Sequence, residues 1–123
     1  MKREEFENLV TAAIARLPEQ IRDKMDNVAV VIEDAPTAQQ LKQGGTRQGD
    51  ILLGLYEGVP KTKRGMGYTL VLPDKITIFQ KSVEMLARTV EDIEQQVRQT
   101  IWHEIAHHFG FSETQVQNLA RKK

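Results

Sequence analysis

The stretch Ile101-Trp102-His103-Glu104-Ile105-Ala106-His107-His108-Phe109-Gly110 ends the longest helical pattern of the chain. Within it, His103 and His107 form the motif H-E-x-x-H. Residues four positions apart on an α-helix differ by about 40° around the axis and ~6 Å along it, so the two imidazoles converge on one point. Imidazole nitrogens are preferred zinc ligands, and we predict that this pair binds one Zn²⁺ ion.

Two acidic residues extend the motif into a catalytic pattern. Glu104 follows the first histidine, from where its carboxylate can take a proton from a water in an open coordination position, as a general base. Glu113 lies three residues beyond Gly110, which gives H-E-x-x-H-x-x-G-x-x-E. A turn at Gly110 would return Glu113 to the metal as its third ligand; alternatively, Glu113 is a first-turn glutamate stabilised by the next helix. Manganese, nickel or cobalt would suit the same ligands.

The polarity of the predicted helix separates its three histidines. His103 and His107 lie on the polar side, about 140° and 100° away from the centre of the apolar stripe. The stripe consists of Val90, Ile93, Val97, Ile101 and Ile105. His108 falls on the stripe itself. We therefore predict that His108 is a core histidine, or one that hydrogen-bonds a carbonyl or carboxylate and supports the metal ligands from behind.

The remaining sequence mixes helices and strands without regular βαβ alternation, which predicts the α+β class in a single domain over residues 1–123. Helical patterns cover residues 4–16, 19–25, 82–88 and 89–109, with a helical turn in 36–42 and a last helix capped by Ser112. Strand patterns cover residues 28–32, 51–56, 68–72 and 76–79. The β-branched run at 28–32 predicts a well-buried strand.

Composition excludes several classes of function. The chain has 123 residues, 17 basic and 17 acidic side chains, and no cysteine, which removes disulfides, iron–sulfur clusters and thiolate chemistry. Neutral net charge argues against nucleic-acid binding, although the basic loop from Lys61 to Arg64 leaves contact with an anionic partner open. No apolar run reaches the ~20 residues of a membrane span and no signal peptide is visible, so we expect a soluble, cytoplasmic protein.

Several segments beyond the motif carry a family resemblance. The chain resembles the minimal zincin-like metallopeptidases, a family of small bacterial proteins. The resemblance rests on residues 6–18, 27–34, 53–60, 72–79 and 102–110. It implies a compact zincin-like fold, with a small mixed sheet packed on helices and the H-E-x-x-H helix near the C-terminus, a zinc site and hydrolase activity. The family commonly has aspartate where this chain has Glu113, whose side chain is longer by one methylene group.

The predicted activity is hydrolysis of peptide bonds in a peptide or protein substrate, with Glu104 activating the water. Only ten residues follow Glu113, and none of them is a tyrosine or histidine that can stabilise the oxyanion. Tyr56, Tyr68 and Arg64 are the candidates for that role. The alternative is a zinc-stabilised interaction module that performs no catalysis.

Overall fold

A computed structural model describes residues 1–47, 49–58 and 72–110. The elements in chain order are α1 (Arg3–Ala15), α2 (Glu19–Asp23), β1 (Val28–Glu33), α3 (Ala38–Gln43), β2 (Gly54–Glu57), β3 (Asp74–Phe79), α4 (Gln80–Leu86) and α5 (Val90–His108). Helices and strands are mixed, which confirms the α+β class. The predicted strand at 68–72, apart from Leu72, lies outside the described residues. So do the basic loop and the helix after Ser112.

The three described strands form one small mixed sheet in the order β1-β3-β2. β1 runs parallel to β3, with Val30 beside Ile76, and β2 runs antiparallel to β3, with Tyr56 beside Ile76 on the other side. β3 is therefore central, and its Ile76 and Ile78 side chains are completely buried. The mixed sheet packed on helices agrees with the predicted fold.

The hydrophobic core lies between the sheet and the helices α1 and α5. α5 contributes Ile93, Val97, Ile101 and Ile105, and these four side chains are buried. Burying an aliphatic side chain of this size contributes about 1.5–3 kcal/mol. Val90, the fifth residue of the predicted stripe, is 52% exposed because it is the first residue of the helix and lies beyond the core.

Two strand predictions need correction. β1 is half-buried at every position rather than well buried, because β3 is its only strand neighbour in the described part of the chain. β2 begins at Gly54 instead of at residue 51. At Gly54 the strand passes close to α5: a Cβ there would lie 2.7 Å from Thr100 Cγ2 and 3.0 Å from the Thr77 carbonyl oxygen.

Both ends of α5 follow from its sequence. The Thr89 hydroxyl accepts a hydrogen bond from the Asp92 amide at 3.0 Å, which caps the N-terminus of the helix. At the C-terminus the helix ends at His108, and Gly110 has a φ of 77°, the left-handed conformation that glycine adopts without strain. The chain therefore turns where the motif requires it to turn. None of the described helices is long and apolar enough for a membrane crossing.

Candidate metal centre

His103 and His107 lie one turn apart on the exposed side of α5. Their ring centroids are 6.4 Å apart, with an angle of 62° between the ring planes. Ile101 and Ile105 occupy the buried side of the same turns, which directs both imidazoles away from the core. Neither ring hydrogen-bonds to another described residue, so the ring nitrogens are available to a ligand.

Glu104 lies between the two histidines in sequence and faces strand β2. Its Oε1 accepts a hydrogen bond from the Tyr56 backbone N–H at 2.8 Å. Burial raises the pKa of the Glu104 carboxyl above its ordinary value of 4.5. The Tyr56 N–H and the neighbouring histidines oppose part of this rise, because they favour the carboxylate. A raised pKa makes the carboxylate a stronger base near neutral pH.

A cluster of polar and aromatic side chains surrounds the end of α5. The Tyr56 hydroxyl donates a hydrogen bond of 2.6 Å to Asp74 Oδ2, at the first residue of β3. The Tyr56 ring stacks on His108, with centroids 3.9 Å apart and planes 20° apart. Phe109 meets the His108 ring edge-on at 4.9 Å, and the Lys24 ammonium lies 5.7 Å from the Phe109 ring. This cluster connects the last turn of α5 to both β2 and β3.

The prediction of a core position for His108 is wrong. Its side chain is 39% exposed, and its Nε2 lies 3.8 Å from Asp74 Oδ2, beyond hydrogen-bond distance. The buried core does not extend to the last turn of α5, so a position on the stripe no longer faces the core there. Instead, the stripe there meets the Tyr56 ring and the Asp74 carboxylate.

A cleft of about 270 Å³ lies beside His103 and Glu104. One wall is the segment that leads into β2, and the other is the polar side of α5. The first consists of Ile51, Leu52, Leu53 and Gly54, and the second of Gln96, Gln99 and Thr100. The cleft thus combines aliphatic side chains with neutral amides and a hydroxyl next to the two motif residues. Such a mixture is typical of sites that bind small groups.

The structure brings together the motif residues of α5 and adds Tyr56 to them. Glu113, Tyr68 and Arg64 lie outside the described residues, and their roles stay predictions. No group of three His, Cys, Asp or Glu side chains within residues 1–47, 49–58 and 72–110 is arranged to hold a metal ion. Two imidazoles beside a carboxylate nevertheless match the donor chemistry of zinc, which takes nitrogen and oxygen ligands from proteins.

Tyr56 is one of the predicted oxyanion donors, and the structure gives it a different contact. Its hydroxyl proton is donated to Asp74, so the hydroxyl must change partner before it can serve an oxyanion. Asp74 itself is absent from the residues that the sequence singles out. The sequence does carry one signal for it, because Asp74 is an acidic residue that follows Pro73 and begins an apolar strand. An acidic side chain that is buried at such a position needs a hydrogen-bond partner.

Comparison with known proteins identifies the family. The sequence profile of the zincin-like metallopeptidases matches residues 25–122, which is more than half of the chain. The chain therefore belongs to the zincin-like metallopeptidase family, as the resemblance predicted.

One solved structure extends the comparison to the whole chain. It is a conserved hypothetical protein from Thermo thermophilus, with 25% sequence identity and a TM-score of 0.56. The similarity covers 99% of this chain and 100% of that chain. No curated protein matches the sequence.

Proposed function

We propose that this protein is a zinc-dependent metallopeptidase that hydrolyses peptide bonds in peptide or protein substrates. His103, His107 and Glu113 would hold one zinc ion, and Glu104 would act as the general base. The observation that carries the proposal is the position of Glu104. It lies on the same helix as two exposed histidines, with one carboxylate oxygen held by the Tyr56 N–H.

The chemistry of the proposed reaction divides between the metal and the chain. Zinc, when bound, supplies a Lewis acid for the scissile carbonyl and makes a water more acidic. Glu104 Oε1 stays bound to the Tyr56 N–H, and Oε2 takes the proton from the attacking water. The same oxygen then delivers that proton to the amine nitrogen as the peptide bond breaks. The raised pKa of Glu104 favours the first step, because a more basic carboxylate accepts the proton from water more readily.

Substrate positioning falls to the cleft beside His103 and Glu104 in this proposal. The cleft has room for an amino-acid side chain, and its wall carries the neutral groups of Gln96, Gln99 and Thr100. The oxyanion donor would be one of the predicted candidates Tyr56, Tyr68 and Arg64.

The test of the proposal compares the wild-type protein with Glu104→Gln. Both are loaded with zinc and incubated with a library of unstructured peptides, and cleavage is followed by mass spectrometry. We expect cleavage by the wild type and a loss of at least ~10²-fold in Glu104→Gln, because the amide cannot accept the proton. Equal zinc content in the two proteins is the control. Undiminished cleavage by the variant would contradict the assignment of Glu104.

The second candidate is a zinc-stabilised interaction module without catalytic activity. The hydrogen bond from the Tyr56 hydroxyl to Asp74 favours it, because that bond engages one of the candidate oxyanion donors. A module of this kind would bind zinc and lose thermal stability on chelation, yet cleave no peptide in the library. Cleavage that depends on Glu104 would exclude it.

A further inference from the structure

We propose that Tyr56 is a positioning residue for the metal centre, acting through its backbone on Glu104 and through its ring on the end of α5. The inference rests on the proposed zinc site and names a residue that the motif does not contain. Tyr56 contacts both the proposed general base and His108, the neighbour of the ligand His107. One residue of β2 therefore touches the motif helix at two successive turns.

The backbone contact restricts Glu104. Tyr56 is paired with Ile76 of β3, and its N–H donates a hydrogen bond to Oε1 of Glu104, which lies on α5. A main-chain donor in a paired strand cannot rotate away as a side-chain donor can, so it holds the carboxylate in one orientation. Oε1 is occupied by this bond, which leaves Oε2 to accept a proton. The strand thus selects which oxygen of Glu104 does the chemistry.

The side-chain contact restricts the last turn of α5. The Tyr56 ring stacks on His108 at 3.9 Å, and its hydroxyl is fixed by Asp74 at 2.6 Å. Phe109 meets the Tyr56 ring edge-on at 6.4 Å. The stacked ring is therefore held at its far end by β3 and at its backbone by β2. It forms a rigid surface against which the helix end packs.

The helix end carries the part of the site most exposed to fraying. His107 lies in the last turn, and the turn at Gly110 leads on to Glu113. Terminal helical turns open more readily than central ones, and ligands must be held within about 0.5 Å for tight binding. Contacts behind metal ligands commonly change metal affinity by about 10–100-fold. The Tyr56 stack is in the right place to supply such a contact.

The experiment uses three variants of the full chain. Tyr56→Ala removes the ring and keeps the backbone N–H, and Tyr56→Phe keeps the ring and removes only the hydroxyl. Leu55→Ala is the matched control: Leu55 is the preceding residue of β2, is 6% exposed, and points to the opposite face of the sheet. It weakens the strand without touching Glu104 or His108.

Zinc affinity is measured by competition with a chromogenic chelator well below the melting temperature, and the cobalt(II) spectrum reports the ligand geometry. We expect Tyr56→Ala to bind zinc at least ~10-fold more weakly and to alter the spectrum. Leu55→Ala should stay within about threefold of the wild type, and Tyr56→Phe, which keeps the stacked ring but loses its bond to Asp74, should lose less affinity than Tyr56→Ala. Wild-type affinity in Tyr56→Ala, or an equal loss in Leu55→Ala, would overturn the proposal.

A second measurement tests the positioning without metal. The Phe109 N–H donates a hydrogen bond to the Ile105 carbonyl at the helix end. We measure the hydrogen-exchange rate of this amide and take its ratio to the exchange rate of the amide of buried Ile101. In metal-free Tyr56→Ala we expect this ratio to rise by at least ~10-fold, and Leu55→Ala should leave it unchanged. An unchanged ratio in Tyr56→Ala overturns the inference. Failure of the wild type to bind zinc overturns the proposed function instead, so the two failures are distinct.

Discussion

At the scale of single residues, Glu104 carries opposing influences that suit a general base. Burial beside β2 raises the pKa of its carboxyl, and the Tyr56 N–H limits the rise. A deeply buried carboxyl without the N–H would stay protonated and be useless as a base, whereas a fully exposed one would be too weak. In the metal-free protein, burial thus imposes a desolvation cost on the charged form of Glu104.

This cost predicts the pH dependence of Glu104→Gln. A carboxyl whose pKa is raised on folding stabilises the fold fully below its unfolded value of 4.5, and the contribution is lost as the pH rises through the folded value. Glutamine keeps the acceptor for the Tyr56 N–H and carries no charge. In metal-free protein, we therefore expect the stability of the variant relative to the wild type to increase as the pH rises above 4.5, as measured by urea unfolding.

The control for this experiment is Glu84→Gln, which changes a carboxylate on α4, away from the metal centre. Its stability difference from the wild type should not follow the Glu104→Gln profile. A Glu104→Gln difference that is constant with pH, or that falls as pH rises, would contradict the pKa direction.

At the scale of elements, the site depends on how closely β2 approaches α5. Gly54 marks the approach, since a Cβ there would meet Thr100 Cγ2 and the Thr77 carbonyl oxygen. Two residues later, the same strand presents the Tyr56 N–H to Glu104. Gly54 therefore allows the close approach of strand and helix, and this approach brings the Tyr56 N–H within hydrogen-bond distance of Glu104.

Gly54→Ala should accordingly destabilise the protein by about 1–3 kcal/mol, because the added methyl group has no room in the packed contact. Gly58→Ala is the matched control in the residue after β2. The nearest atom to its Cβ would be His108 Cε1 at an ordinary 3.6 Å, so we expect less than about 0.5 kcal/mol. Urea unfolding measures both, and equal losses in the two variants would rule out the close approach as the cause.

Elements are predictable from sequence to different degrees. α5 is predicted well because its signals are local: a threonine cap, an apolar stripe and a glycine turn. The burial of β1 is not predicted correctly, because it depends on the number of neighbouring strands rather than on the β-branched residues of β1 itself. The predicted core position of His108 also depends on the surroundings of the helix, and it is the part of that prediction that fails. Its place on the stripe is right, but the core does not extend to the last turn of the helix.

At the scale of the whole molecule, the candidate site joins residues that are far apart in the chain. The H-E-x-x-H motif alone predicts the placement of His103, Glu104 and His107 on one helix. The bridge from Tyr56 to Asp74 and His108 spans separations of 18 and about 50 residues, and no local pattern encodes it. The local motif therefore predicts the proposed ligands and the proposed base, whereas the residues around them follow only from the three-dimensional structure.

Chelation tests whether metal binding and folding are coupled. A ligand that binds only the folded state stabilises it by about 2.7 kcal/mol at 100 times its dissociation constant. We expect the melting temperature of the zinc-loaded wild type to fall on addition of a chelator, and that of His103→Ala to be insensitive to it. An equal response in both proteins would mean that the chelator acts elsewhere.

The proposed function depends on zinc binding by the two exposed histidines of α5. Elemental analysis of the purified wild type beside His103→Ala tests it most directly, with circular dichroism to confirm that the variant is folded. We expect about one equivalent of zinc in the wild type and none in His103→Ala, because a single imidazole and the carboxylates are too few ligands to retain the ion. Zinc-free wild type, or a variant that keeps its full equivalent, would contradict the claim.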